Sequence, residues 1–450
     1  MLTRLLAAWR HWPTHKQVWA LAIPMILSNL TVPLVALVDS SVIGHLPHPH
    51  QLGAVAVGAG FYTMIASLAG TTLRMGITGF AARATGQSDD ATARRIFQQA
   101  VVLAVSFAAV LIVVALPLTN FALSVMGSSD ELRDLARRFF QIRIFGMPAI
   151  LMQHALVGWL LGRQNARGPL AIMLTTNVLN IILVLWLVLG LEWGVPGAAV
   201  ASVSAEWIGG IFALGLVRRH LRRMQAAPSG ALALRSWKVW GQLLAANRDI
   251  FIRTLALQAV FLSVTLRGAQ LGDETVAANA LLLNGLLVCS YALDGLAHAI
   301  EALCGHAIGA GKRRALLRAL TVAGGWSLGI SMVFSFGFAL IGDWFIALQT
   351  NMPGVRAMAG QYLGYLALLP LVAVWSFLLD GLFIAGTKAR EMRNVMVVSL
   401  LLTVPLALVL WPLGNHGLWT SLLCFMAIRG VGMGLVARRL DQHQAWVAQA

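Results

Sequence analysis

Five carboxylates stand inside long apolar stretches of this chain: Asp39, Glu206, Asp294, Glu301 and Asp380. An acid in such surroundings must take a proton, pair with a cation or coordinate one, so each is a candidate for ion handling. Around two of them the spacing is informative. Asn177 and Asn180 stand at i, i+3, and Ser202 and Glu206 at i, i+4, separations that place each pair on one face of a helix. Asp39, Asn177, Asn180, Ser202 and Glu206 fall at similar depth, from the middle to the outer end of their spans, and together they could hold a proton or Na⁺. The plain alternatives are that the Asn and Ser side chains join helices, and that Asp39 pairs with an arginine inside the apolar region. Asp294, Asp380 and Arg253 in the later half are candidates for lining a substrate cavity, while Glu301 sits near enough to a span end to be an interface charge.

Other constellations carry less. His45, His48 and His50 in HLPHPH have the residue types of a metal site, but two prolines in a short segment favour a solvated turn. GAGK at 309–312 lacks the glycine that a phosphate loop requires at 306, where His stands. HExxH is absent. Cys289, Cys304 and Cys424 are far apart in apolar runs and read as reduced core residues. No metal, no cofactor and no catalytic residue is expected, and the chain is read as something other than an enzyme.

The elements that position these groups follow from composition. Of 450 residues 58% are hydrophobic and 11% charged, against about 25% charged in water-soluble domains, so the solvent for most of the chain is lipid. Apolar runs of about 20 residues, enough to cross a hydrocarbon core of roughly 30 Å, recur near 17–43, 52–76, 96–118, 139–161, 169–190, 195–217, 250–271, 276–303, 317–341, 357–385, 394–413 and 417–437. The net charge of +16 first raises nucleic acid as a partner, but the distribution excludes it. Of 33 Lys and Arg, 24 fall in the N-terminal segment and every second loop, which by the positive-inside rule places both termini in the cytoplasm. Arg74, Arg143, Arg253, Arg267 and Arg429 fall within spans and should be paired, snorkelling or facing a wet cavity. The first span is preceded by Arg4, Arg10 and Lys16 and followed by no small-residue cleavage site, so it is read as a retained anchor. Pro24 and Pro33 give that span a way to bend on the approach to Asp39.

The chain also repeats itself. GWLLGRQNAR around Gly158 returns as GLFIAGTKAR around Gly381, a separation of 223 residues, and Ala84-Thr85-Gly86 is related to Ala307-Ile308-Gly309 by the same separation. The predicted fold is an all-α polytopic membrane protein of 12 transmembrane helices. It comprises a six-helix lobe at 1–218, a cytoplasmic basic linker at 219–248 and a second six-helix lobe at 249–450. Each lobe has an even number of spans, so the two share one orientation and are related by a pseudo-two-fold axis along the membrane normal. That is a transporter architecture working by alternating access.

LAIPMILSNLTVPLVALVDSSVIGHL at 21–46, ARATGQ at 82–87, NVLN at 177–180, GAAVASVSAEW at 197–207 and DGLFIAGTKAREMRN at 380–394 together resemble the multidrug and toxic compound extrusion (MATE) family, and most of all its DNA-damage-inducible protein F branch. The resemblance implies an efflux antiporter that exports organic cations or toxic amphiphiles as H⁺ or Na⁺ enters. It implies a coupling site at Asp39, Asn180 and Ser202, with a helix 5 acid at position 184. Here that position is Val184. Its loss favours H⁺ over Na⁺, which wants several oxygen ligands. Asp380 resembles an acid used for coupling in another branch.

The resulting expectation is a proton-coupled multidrug exporter of the inner membrane, acting as a monomer on small drug-like substrates within the lipid bilayer. The alternatives are a major-facilitator-type carrier and a flippase for lipids or lipid-linked sugars, the latter kept open by Arg74, Arg253 and Arg267.

Overall fold

The structure, a computed structural model, describes residues 2–44, 49–125, 129–224 and 237–447. His45 and His48 of the proline-rich turn, the side chain of His50, and residues 225–236 of the expected linker lie outside the described residues. Among the described residues the secondary structure is helical, with no strand. This is what an apolar solvent dictates, because a helix satisfies its own backbone donors and acceptors where no water can.

A short helix α1 (Leu2–Trp9) precedes α2 (Trp12–Gly44), α3 (Pro49–Gly86) and α4 (Asp90–Val125). α5 (Asp130–Arg143) leads through a 3₁₀ turn at Ile144–Gly146 into α6 (Met147–Gly162), and α7 (Arg167–Val184) and α8 (Gly194–Arg222) follow. The later half contains α9 (Trp237–Gln270), α10 (Asp273–Gly309), α11 (Arg313–Gln349), α12 (Pro353–Gln361), α13 (Leu363–Ala385), α14 (Ala389–Val409) and α15 (Gly414–Gln442). Among the described residues twelve stretches are long and apolar enough to cross a membrane, one for each run read from the sequence.

The differences from the sequence reading lie at the ends. The expected run at 357–385 is broken at Tyr362, so α12 is a separate short helix and the span begins at Leu363. Most spans overshoot the apolar run, since polar ends continue the helix once it is nucleated. Asp89 marks one such end. Its Oδ1 accepts the backbone N–H of Thr92 at 2.8 Å, and hydrogen bonds from Thr92 hold its carboxyl below the usual carboxylate range. α2 stays a single helix through Pro24 and Pro33 although neither can donate to the carbonyl four residues before it.

The described chain groups into two compact units, one formed by Met1–Ile26 with Ala245–Ala450 and the other by Leu27–Leu244. The start of the first span thus groups with the later half of the chain. In the Leu27–Leu244 unit, Leu73, Ile77, Leu151 and Trp159 form the core, and the Trp159 indole N–H donates to the carbonyl of Ala93 at 2.8 Å. In the other unit, Leu282, Leu366, Trp419 and Phe425 play that part. There the Trp419 indole donates to Asn279 Oδ1 at 2.8 Å, and Asn279 and Asn415 exchange hydrogen bonds at 2.8 and 3.0 Å.

The repeat seen in the sequence recurs as geometry. A Cβ on Gly158 would lie 2.5 Å from the carbonyl oxygen of Arg74, and one on Gly381 would lie 2.7 Å from that of Ala297. Arg74 and Ala297 are again 223 residues apart, so each unit has one helix crossing where only glycine lets the backbones approach. Positive φ angles keep the same separation, at Ser88 (56°) and Gly311 (68°) and at Gln164 (58°) and Thr387 (52°). Two turns of unlike sequence therefore share one left-handed conformation, even where the residue is a β-branched threonine that disfavours it.

Candidate functional site

In the Leu27–Leu244 unit α2 supplies Asp39, α7 supplies Asn177 and Asn180, and α8 supplies Ser202 and Glu206. All five line one pocket of about 360 Å³. Arg143 from α5 and Thr176 from α7 also reach it, and Val35, Ile43, Val55 and Phe139 form much of its apolar wall. The i, i+3 and i, i+4 spacings in the sequence are what bring these groups to one side of their helices.

Within the pocket the two acids have different surroundings. Glu206 is saturated: Arg143 lies 2.9 Å from its Oε1, and the Tyr62 hydroxyl donates to its Oε2 at 2.9 Å. The Arg143 guanidinium also sits over the Tyr62 ring, 3.9 Å from its centre, which adds a cation–π contact to the ion pair. Gln153 donates to the backbone carbonyl of Glu206 at 2.7 Å and accepts from Thr176 at 3.1 Å. The approach of the 3₁₀ turn after α5 is so close that a Cβ on Gly146 would collide with the Glu206 carboxylate.

Asp39 makes no such ion pair, although the charge of Arg143 reaches it. Asn180 Nδ2 reaches its Oδ2 at 3.5 Å, and Ser202 in turn donates to Asn180 Oδ1 at 3.2 Å, which orients the carboxamide with its N–H₂ toward the acid. The other oxygen, Oδ1, is buried with no hydrogen-bond partner. Asn177 is brought to the pocket too, but its carboxamide donates to Thr31 of α2, the helix-joining role that the sequence left open for it. Val184 is fully buried with Val42, Ile43 and Val188 in an apolar cluster, so the place of the family's second acid is a hydrocarbon wall.

The three residues proposed from sequence for a substrate cavity lie in the other unit. Arg253 of α9 and Asp380 of α13 are brought together, and Arg429 of α15 joins them, both guanidiniums bonding Asp380 Oδ2. All three are at most 6% exposed, and they form a buried ion triad. The charge of Asp294 of α10 also reaches Arg253. Glu301 is buried, with His298 Nδ1 3.4 Å from its Oε1, and so is not the interface charge expected. Arg267, the other arginine of this half within a span, places its guanidinium 3.4 Å from the centre of the Trp411 ring.

Arg143 and Arg429 were visible in the sequence as cations needing partners, but nothing there said which acids they would meet. Tyr62 gave no signal, standing beside Phe61 in an apolar helix 144 residues from Glu206.

The Arg143–Glu206 pair carries a stability prediction. Glu206→Gln leaves a buried guanidinium without its counter-ion and should destabilise the protein by about 3–5 kcal/mol, whereas Arg143→Met with Glu206→Met removes both charges and should lie within about 2 kcal/mol of wild type. Chemical unfolding of the purified protein in detergent measures both, and equal losses in the two variants would show the pair to be structurally idle.

Comparison with known proteins agrees with this architecture. The family model described as MatE matches residues 24–186 and 250–409. The chain is 41% identical over 440 residues to DNA damage-inducible protein F of Escherichia coli (strain K12), an alignment covering 96% of this chain and 94% of that protein. It is 26% identical to the probable multidrug resistance protein NorM of Rhizobium meliloti (strain 1021), over 91% of this chain and 87% of that one. Among solved structures, the outward-facing conformation of a multidrug resistance MATE family transporter superposes with a TM-score of 0.86 at 18% identity, covering 96% of this chain and 97% of that chain. A MATE crystallised in complex with MaD3S gives 0.84 at 20%, with the same coverage. With its helices, its repeated crossings and both stretches of the family model in place, the chain belongs to the MatE family, the multidrug and toxic compound extrusion transporters.

Proposed function

We propose that this multi-pass membrane protein is a secondary multidrug exporter in which a proton on Asp39 drives the outward movement of organic cations or toxic amphiphiles by alternating access. The observation that carries the reading is the contrast between the two acids of one pocket. Glu206 is neutralised by Arg143, while Asp39 has one oxygen on Asn180 and the other buried with no partner. A carboxylate so placed gains most from taking up a proton. Na⁺ is the weaker candidate, because Val184 offers no oxygen and both oxygens of Glu206 are already engaged. H⁺ is thus the coupling ion and no cofactor is assigned.

We further propose an inner-membrane location, a monomeric state and cytoplasmic termini, the last supported by the loop arginines. A flippase of anionic lipids would want free positive charge in its cavity. Arg253 is bonded to Asp380 and Arg267 is stacked on Trp411, which disfavours that reading.

Transport of a cationic dye into inside-out vesicles or proteoliposomes tests the proposal. Dye accumulation should follow an imposed pH gradient and ignore an imposed Na⁺ gradient. Accumulation that follows Na⁺ alone, or neither gradient, overturns proton coupling.

A further inference from the structure

A feature apart from the pocket lies where α14 and α15 pack together. Between them runs a groove of about 650 Å³ lined by Val395, Val398, Leu402, Val431, Leu435 and neighbouring small residues. Gly432 opens it, since a Cβ there would come within 3.0 Å of Val395 Cγ1. Val431 and Leu435 are each 63% exposed, and the hydroxyl of Ser399 turns back to the carbonyl of Val395, so the groove presents hydrocarbon to its surroundings.

Its register is the informative part. On α14 one wall follows Asn394, Val398 and Leu402, and on α15 the other follows Ala427, Val431 and Leu435, both at steps of four. Continuing each stripe by four residues toward the water-facing end reaches Arg390 on α14 and Arg439 on α15. The helices are antiparallel in sequence, yet both walls end in an exposed arginine at the same end. Among the described residues neither arginine is in an ion pair. The nearby acids are otherwise placed: Asp441 is bonded to Arg313, Asp249 to Arg393 and Arg248, and Glu391 stands about 100° of helix off the stripe. From Asn394 to Leu402 the groove descends about 12 Å, most of the ~15 Å depth of one hydrocarbon leaflet.

We infer that this groove is a binding site for an anionic phospholipid, with an acyl chain between Val398, Leu402, Val431 and Leu435 and the phosphate held by Arg390 and Arg439. The chemistry selects that occupant. A planar guanidinium on each wall matches a phosphate bidentately, and an apolar cleft one leaflet deep beneath it matches the chain. A protein partner would have no need of paired cations at the end of an apolar stripe, and a zwitterionic lipid brings its own cation beside them and no net charge to offset theirs.

Native mass spectrometry of the full-length protein in detergent, titrated with phosphatidylglycerol and phosphatidylcholine of the same acyl chains, tests the inference. Wild type should retain phosphatidylglycerol roughly thirty-fold more strongly, the preference expected of two arginines acting on one anionic lipid. Arg390→Gln with Arg439→Gln should reduce the preference to near one, and Val398→Trp should lower retention of both lipids by filling the groove. Arg222→Gln with Arg223→Gln, an equal loss of charge elsewhere, should leave it unchanged. An unchanged preference in the Arg390/Arg439 variant, an equal fall in the Arg222/Arg223 variant, or a dimer mass that is lost with Val398→Trp would each overturn the site, the last by showing that a second copy of the chain occupies the groove.

Discussion

Asp39→Asn should abolish gradient-driven export while leaving the protein folded. One-for-one exchange of a proton and a monovalent cation moves no net charge, so each pH unit of gradient, about 1.4 kcal/mol, supports a roughly ten-fold accumulation of a cationic dye, and an asparagine cannot take up that proton. The accumulation ratio of dye in vesicles should therefore fall toward one. Stability should not follow it. Asparagine has nearly the shape of aspartate, its oxygen still accepts from Asn180, and it replaces a buried oxygen that has no partner with a neutral group. A melting temperature equal to or above that of wild type, together with absent accumulation, is the expected pair of results. Dye accumulation by Asp39→Asn at the wild-type ratio would remove Asp39 from the mechanism. A companion Glu206→Gln variant separates the roles, because its first effect should be on stability through the stranded Arg143.

The second large effect is expected at Asp380. Its carboxylate is bonded to both Arg253 and Arg429, and the three side chains link α9, α13 and α15 across the interior of one unit. Asp380→Asn would leave two guanidiniums facing each other in a site with almost no solvent, at a cost of about 3–5 kcal/mol. Asp294 lies within electrostatic reach of Arg253 and offsets part of this. The variant should express poorly and aggregate at lower temperature in detergent. Joint replacement by apolar residues, Arg253→Met with Asp380→Leu and Arg429→Met, should recover most of the lost stability, because removing all the charges also removes their desolvation cost. Wild-type thermal stability in Asp380→Asn would mean that the arginines find other counter-charges, and failure of the triple variant would mean that the triad fixes the packing of the three helices.

These two acids also show how far a single sequence reaches. Both stood out for one reason, that a carboxylate in an apolar run is rare, and the sequence ranked Asp39 first by depth and by its companions Asn180 and Ser202. What separates them in the structure is the company of cations. Asp380 and Glu206 are bonded by arginines from helices 49 to 127 residues away, while Asp39 is hydrogen-bonded by a carboxamide and feels Arg143 only at a distance. Arg253 and Asp380, read from the sequence as lining a substrate cavity, are found in a buried ion triad, and Arg143, known from sequence only as a cation in need of a partner, is found paired with Glu206.

The sequence by itself determined the twelve spans, the internal repeat and the positions of the acids. Each of these rests on local regularities: a hydropathic run long enough for a bilayer, a fixed separation between like segments, and a charge where charge is costly. The repeat even carried its backbone detail, since glycines at Gly158 and Gly381 permit the same close crossing. Only the tertiary structure decided which charges neutralise which, that Val184 faces hydrocarbon, and that two arginine-ended stripes on α14 and α15 enclose one groove. The physical reason is that ion pairs and cavities depend on rotation and approach between helices distant in the chain. Those are set by packing over whole helix faces, which no short motif encodes.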